Sequence, residues 1–430
     1  MKVPKNSSIF NQQGGSNNFA KRIILITLIL IGGYIGLNSE FFFEEEGYIE
    51  PFFKPTPEST RTSDSFILES QAHLASGDLD KSIEALENAL EKDPNNVLML
   101  TELARIQTYY SAILTNLEST EILQKALGNI DLAVSLDDTN SDAFAVHAFV
   151  NDWNASYAET NDEREAFLVQ AEQSAQKALS LDVNNVLANV YRAEILGDQG
   201  RVTQAFQVIE EAVAANPNLM DAHRVYAFLY ESTGSVNYRK AIEEYKLAAE
   251  IMPNFTYLYI KIGQNYRALP VPLYDLALEY FDRAATINEV LEIKDPLPYV
   301  AIAKTYSRQG EFFIAARNMQ KALDFDPTNA QLYGELGIIY SQSRNFEGSI
   351  PIFRCAVEGC LAIENEEQEV AVIGLELQNS TVFFYSRYGS VLAALNECQK
   401  AEEILNQVGN AFSSDEIIMG IVEEGLFICR

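Results

Sequence analysis

The stretch GDLDKSIEALENALEKDPNN, residues 77–96, sets apolar residues three and four apart and then meets a proline. That spacing predicts an amphipathic helix stopping just before Pro94. The same order returns as GRVTQAFQVIEEAVAANPNL at residues 200–219 and as GEFFIAARNMQKALDFDPTN at residues 310–329. Wider windows, residues 186–219 and 296–329, make each a 34-residue unit of two helical patterns. The first pattern carries a small residue, Ala193 or Ala303, where two helices must touch. Gly200 or Gly310 then breaks the chain. The second pattern sets Ala205, Ile209 and Ala212, or Ala315, Met319 and Ala322, on one face, and Pro217 or Pro327 follows. One such pair cannot bury its own apolar face, whereas stacked pairs share a continuous core.

With its small, glycine, alanine, aromatic and proline positions, the unit resembles the tetratricopeptide repeat. Further copies fall at residues 63–96 (Gly77, Leu86, Ala89, Pro94), 220–255 (Ala227, Tyr230, Ala241, Tyr245, Ala248, Pro253) and 256–290 (Gly263, Tyr266, Ala277, Phe281, Ala284). Two more fall at residues 330–361 (Gly337, Tyr340, Phe353, Ala356) and 382–415 (Tyr385, Gly389, Ala401, Leu405). The resemblance implies an all-α fold: a right-handed α-solenoid of about nine helix pairs over residues 63–415. Two units within residues 97–185 are about ten residues too long, with the excess expected between their helices. Pro351 should kink or shorten its helix. An insertion at residues 361–381 lacks the helical pattern, and its VAVIGLEL reads as strand-like. Residues 416–430 read as a terminal capping helix.

Ahead of the repeats stands KRIILITLILIGGYIGLNSEFFFEEEGYIEPFF. Residues 23–43 would form a helix of about 31 Å, enough to cross a bilayer core. Lys21 and Arg22 precede the span and aromatic residues close it, so the reading is a signal anchor. Residues 1–22 would then be a short basic cytoplasmic tail. The protein would be single-pass in the cell membrane, with its C-terminal domain extracytoplasmic. The rival is a cleaved signal peptide, whose A-x-A-like site Gly36-Leu37-Asn38-Ser39 does not supply. Residues 44–62, acidic and then rich in Pro, Ser and Thr, read as a flexible linker.

Charge narrows the function. The chain of 430 residues has a net charge of −30. No acidic residue precedes Glu40, so the remainder, with 27 basic and 61 acidic residues, stands at −34. Phosphate neutralisation needs clustered Lys and Arg, so no nucleic-acid partner is expected. The three histidines, His73, His147 and His223, are spread through the array as packing or surface residues. No HExxH, GxxxxGK[ST], GxSxG or GxGxxG occurs, and the glutamates of IENEEQE lack the spacing of a calcium loop. The expectation is no enzyme, no metal and no cofactor. Cys355, Cys360, Cys398 and Cys429 form no CxxC. Cys398 and Cys429 could meet as a disulfide at one end of neighbouring helices; otherwise all four are small core residues.

In proteins resembling this family the first helices line a concave groove that holds an extended peptide or a partner helix. Here the groove candidates are Arg224, Phe228, Tyr257, Ile260, Gln264, Arg267, Lys304 and Arg308, a basic and aromatic lining inside an acidic domain. Arginine pairs with carboxylates, and aromatic rings supply area at little entropic cost. The resemblance implies a membrane-anchored scaffold for protein–protein interaction that binds peptide or protein partners along the concave face. An acidic or C-terminal-carboxylate segment would suit its cations. One alternative is an accessory or lectin-like subunit of a cell-envelope polymer synthesis, assembly or export system. The other is a cytoplasm-facing adaptor.

Overall fold

The computed structural model describes residues 17–37, 61–114, 116–158, 160–364 and 368–430. It divides into Met1–Arg61 and Thr62–Arg430. In the first unit, α1 spans Asn17–Leu37. Its uncharged run from Ile23 to Leu37 has 15 residues, about 22 Å as a helix, against a hydrocarbon core of about 30 Å. Among the described residues no helix is long and apolar enough to cross a membrane. This overturns the single-pass anchor expected at residues 23–43 and the extracytoplasmic placement that rested on it. Residues 38–43 of that span lie outside the described residues. So do residues 1–16 of the tail and 44–60 of the linker.

Thr62–Arg430 is a solenoid of helix pairs: α2 (Ser63–Ser76) with α3 (Leu79–Lys92), α4 (Val97–Ser111) with α5 (Asn116–Leu136), and α6 (Ser141–Tyr157) with α7 (Asn161–Leu181). Then come α8 (Val186–Asp198) with α9 (Val202–Ala215), α10 (Met220–Ser232) with α11 (Tyr238–Ile251), and α12 (Thr256–Ala268) with α13 (Tyr274–Leu291). The last pairs are α14 (Leu297–Gln309) with α15 (Phe312–Phe325), α16 (Ala330–Gln342) with α17 (Phe346–Val357), and α18 (Val382–Ala394) with α19 (Cys398–Ala411); α20 (Glu416–Ile428) closes the array. Each helix packs on the next, and several first helices of successive units also touch.

The joints are written into the unit ends. Asn96, Asn140, Asn185 and Asn329, the last residues of their units, cap the next helix through their side chains. Each satisfies a backbone N–H that a helix start leaves orphaned. A second kind of tie crosses the turns that hold a proline. The Tyr259 hydroxyl donates to the Pro253 carbonyl at 2.6 Å, and Tyr333 donates to Pro327 at 3.2 Å. His223 Nε2 lies 2.9 Å from the Pro217 carbonyl. Within a unit, Gly310 at φ 82 ends α14 in the left-handed conformation that glycine enters without steric penalty.

Three details differ from the expectation or refine it. The extra residues of the second and third units lengthen helices instead of forming a long loop: α5 and α7 have 21 residues each, against 14 in α3. Pro351 lies inside α17, which has 12 residues, two fewer than α15. The insertion forms an antiparallel pair, β1 (Cys360–Glu364) and β2 (Gln368–Val372), with Cys360 opposite Val372. One face, with Ala362 and Val372, packs near Ala330 and Tyr333. Disulfides join Cys355 to Cys360 at the base of this hairpin and Cys398 to Cys429 across α19 and α20.

Small residues set the helix spacing. A Cβ added at Gly263 would meet the Phe281 ring at 2.4 Å. Replacing Gly263 with valine should therefore force α12 from α13 and cost about 1–3 kcal/mol. Denaturant unfolding of the variant checks this, and an unchanged midpoint would contradict the α12–α13 packing.

Candidate functional site

The first helices α4, α6, α8 and α10 bring a charged and aromatic cluster to the interior of the solenoid. Arg224 on α10 is 1% exposed. Its guanidinium donates through both terminal nitrogens to the Glu194 carboxylate on α8, each at 2.6 Å. The cation lies over the rings of Tyr109, Phe149 and Trp153 at 5.4, 5.5 and 5.6 Å. Trp153 adds a third donor to Glu194 at 3.2 Å. A bidentate pair with further donors is the arrangement a buried ion pair needs to offset its desolvation.

A second carboxylate, Asp221, stands one helical turn before Arg224. It accepts hydrogen bonds from the hydroxyls of Tyr109 and Tyr191 and from Arg105 at 3.3 Å. Burial opposes its ionisation, yet Arg105 and the two hydroxyls hold its carboxyl below the usual range. Burial pushes both tyrosines well up, so they remain donors.

Beside the ion pair, Asp152 and Asp198 hydrogen-bond to each other. Burial raises Asp152 well above the ordinary value, with the charge of Asp198 next. Burial, and then the charge of Glu194, lifts Asp198 to about 6. Two carboxyls in contact hold one proton between them. Asp152, Asn151 and Arg224 each keep one buried polar atom without a protein partner.

The groove candidates separate into three kinds. Arg224 was expected to face a ligand, and the structure instead commits its charge to Glu194. Ile260 is core at 6% exposure, and Tyr257 stacks on Phe255 at 5.5 Å. Phe228 and Gln264 are half-buried. Lys304 pairs with Glu335 at 2.8 Å. Arg267 and Arg308 form the third kind. Arg267 is half-buried over Phe281 and donates to the Ala301 carbonyl at 3.0 Å and the Thr305 hydroxyl at 3.2 Å. Burial, and then the nearby charge of Arg308, lower its guanidinium to about 10. Arg308 is exposed. Among the described residues neither arginine makes an ion pair, so α12 and α14 bring together two cations with no carboxylate between them.

The interior residues Tyr109, Phe149, Trp153, Glu194 and Asp221 were absent from the groove candidates. Three of them sit in the two long units, where the repeat register is hardest to count. Among the described residues no group of three or more His, Cys, Asp or Glu is placed to hold a metal ion.

A sequence model of the tetratricopeptide repeat matches residues 67–108, from α2 through α3 into α4. Residues 67–108 are a tetratricopeptide repeat, and helix pairs of the same kind follow it. Over 192 residues the repeat protein is 26% identical to the human Protein IFIT1 homolog B, covering 40% of this chain and 39% of that one. It is 24% identical over 191 residues to the Antiviral innate immune response effector IFIT1 of Macaca fascicularis, with the same shares. The match thus spans about two fifths of the length of these relatives. The human IFIT1 dimer with m7Gppp-AAAA has a TM-score of 0.52 at 18% identity, covering 86% of this chain and 89% of that one. The human IFIT1 dimer with PPP-AAAA has 0.50 at 18% identity, covering 85% and 90%. At such identity the likeness is one of fold.

Two tests address the interior. Replacing Arg224 with leucine leaves Glu194 buried and unpaired and should cost about 3–5 kcal/mol. The double change with Glu194→Leu should recover much of that loss in urea unfolding. The second test is pH. Asp198 has its folded pKa raised above its unfolded value, so the folded state binds the extra proton. Stability should therefore rise as pH falls from about 7 through about 6 toward 4. The Asp198→Asn variant should flatten that rise in melting temperature.

Proposed function

We propose that this repeat protein is a non-catalytic scaffold that holds a protein or peptide partner along the inner face of its helix pairs. Arg267 and Arg308 would read a carboxylate of that partner. The observation that carries the reading is this pair of neighbouring cations, which make no ion pair among the described residues, in a chain of net charge −30. Three other cations of the first helices are matched: Arg224 by Glu194, Lys261 by Glu231 and Lys304 by Glu335. Two guanidiniums that repel each other gain most from an anion between them. Half-buried Arg267, already fixed by Ala301 and Thr305, offers that anion an ordered donor. Phe228, Tyr257 and Gln264 would line the same groove.

The IFIT1 structures contain m7Gppp-AAAA or PPP-AAAA, and a phosphate-bearing RNA end is the second reading of the same cations. The acidic balance favours the carboxylate, because an RNA backbone needs clustered positive charge. The test compares wild type with Arg267→Glu/Arg308→Glu. The probes are an acidic peptide with a free C-terminal carboxylate, its amidated counterpart, and PPP-AAAA. The double change should weaken the free-carboxylate peptide by about tenfold or more, with helicity and melting temperature unchanged. Equal binding by the folded variant would remove this groove as the site. Preference for PPP-AAAA over both peptides would transfer the site to the RNA reading.

A further inference from the structure

A cleft of about 620 Å³ opens where the solenoid returns on itself, and it is distinct from the groove of Arg267 and Arg308. One wall comes from α3, the end of α4, and α5. The other is the turn Leu291–Lys294 after α13, about two hundred residues further along. The volume lies in the range of sites that hold a small ligand or a few side chains. Its floor is apolar: Ile83 and Ile113 are buried, and Ile122 and Ile293 are half-buried. Its rim is acidic. Asp78 is matched by Lys81 at 2.9 Å and caps α3. The carboxylates of Asp80, Glu87, Glu121 and Glu292 also line it, against the amines of Lys125 and Lys294. Tyr110 hydrogen-bonds to Asp80, and burial first, then that carboxylate, raise its hydroxyl, so it stays a donor.

We infer that this cleft docks a basic, amphipathic segment of a protein partner. The argument is complementarity of two kinds at once. Lysine and arginine lay their methylenes on apolar surface while their heads stay at a polar rim. An apolar floor under a ring of carboxylates is the matching half of that arrangement. A phosphate backbone would meet the same carboxylates as repulsion. A small polyamine would use the rim and leave the isoleucine floor uncovered. The occupant touches both α3–α5 and the turn after α13, so its binding would fasten two distant stretches of the array together.

The experiment uses the full chain and a fluorescent peptide of alternating leucine and lysine pairs, read by anisotropy. A glutamate-for-lysine counterpart and spermine serve as competitors. A chain this acidic attracts cations everywhere, so the decisive comparison is between two variants of equal net charge. Glu87→Lys/Glu121→Lys alters the rim. Glu347→Lys/Glu402→Lys alters exposed positions on α17 and α19, away from the cleft. The rim variant should lose about tenfold or more in affinity while the distant variant stays within about twofold. Ile293→Ser should also weaken the lysine peptide, whereas Arg267→Glu/Arg308→Glu should leave it unchanged. Equal losses in the two lysine variants would overturn the inference, as would competition by spermine as strong as by unlabelled peptide. Failure here leaves the carboxylate reading of Arg267 and Arg308 untouched, because the probes carry opposite charge.

Discussion

Glu194 and Arg224 form the contact on which the interior depends. The pair joins α8 to α10, and the rings around it come from α4 and α6. Once the guanidinium is buried, every neighbour must either accept from it, stack on it or balance its charge. Glu194, the three rings and Asp221 perform those roles in turn. A hydrophobic substitute could fill the same volume, but it would not dictate which side chain faces which. The polar centre thus gives the first helices a unique register where apolar stripes alone would permit sliding.

The same centre explains the division among the cations of the inner face. Where the array is tightly closed, around α4 to α10, positive charge is consumed within the fold. Further along, around α12 and α14, Arg267 is half-buried and Arg308 is exposed, and among the described residues no carboxylate pairs with either. The pairing of positive charge on the first helices therefore shifts along the array, although the backbone pattern does not.

The helix pairs were legible because the units carry their signals in adjacent residues: an apolar stripe in every unit and, in several, a glycine between the helices or a proline or capping asparagine at the closing turn. The fate of individual side chains was less legible, because it depends on partners in other units. Arg224 reads in the sequence as one more basic residue at a groove position. Its partner lies 30 residues away. Tyr109 reaches Asp221 across 112 residues, and no local pattern announces that contact. Among the described residues Arg267 and Arg308 make no ion pair, and a sequence cannot show which cations will be left so. The N-terminal segment was misjudged because the count of apolar residues ran through residue 43, whereas the uncharged run described within α1, Ile23 to Leu37, has 15 residues.

The bond between Cys398 and Cys429 has a mechanical consequence. A stacked array pulled from one end should unzip one helix at a time, starting with the terminal one. Here the sulfurs enclose 31 residues of chain separation, including α20 and nearly all of α19. Tension applied at Arg430 bypasses that length and arrives at the first turn of α19, next to its junction with α18. Until the bond is reduced, the enclosed segment contributes no extension, and the array must yield at a deeper interface.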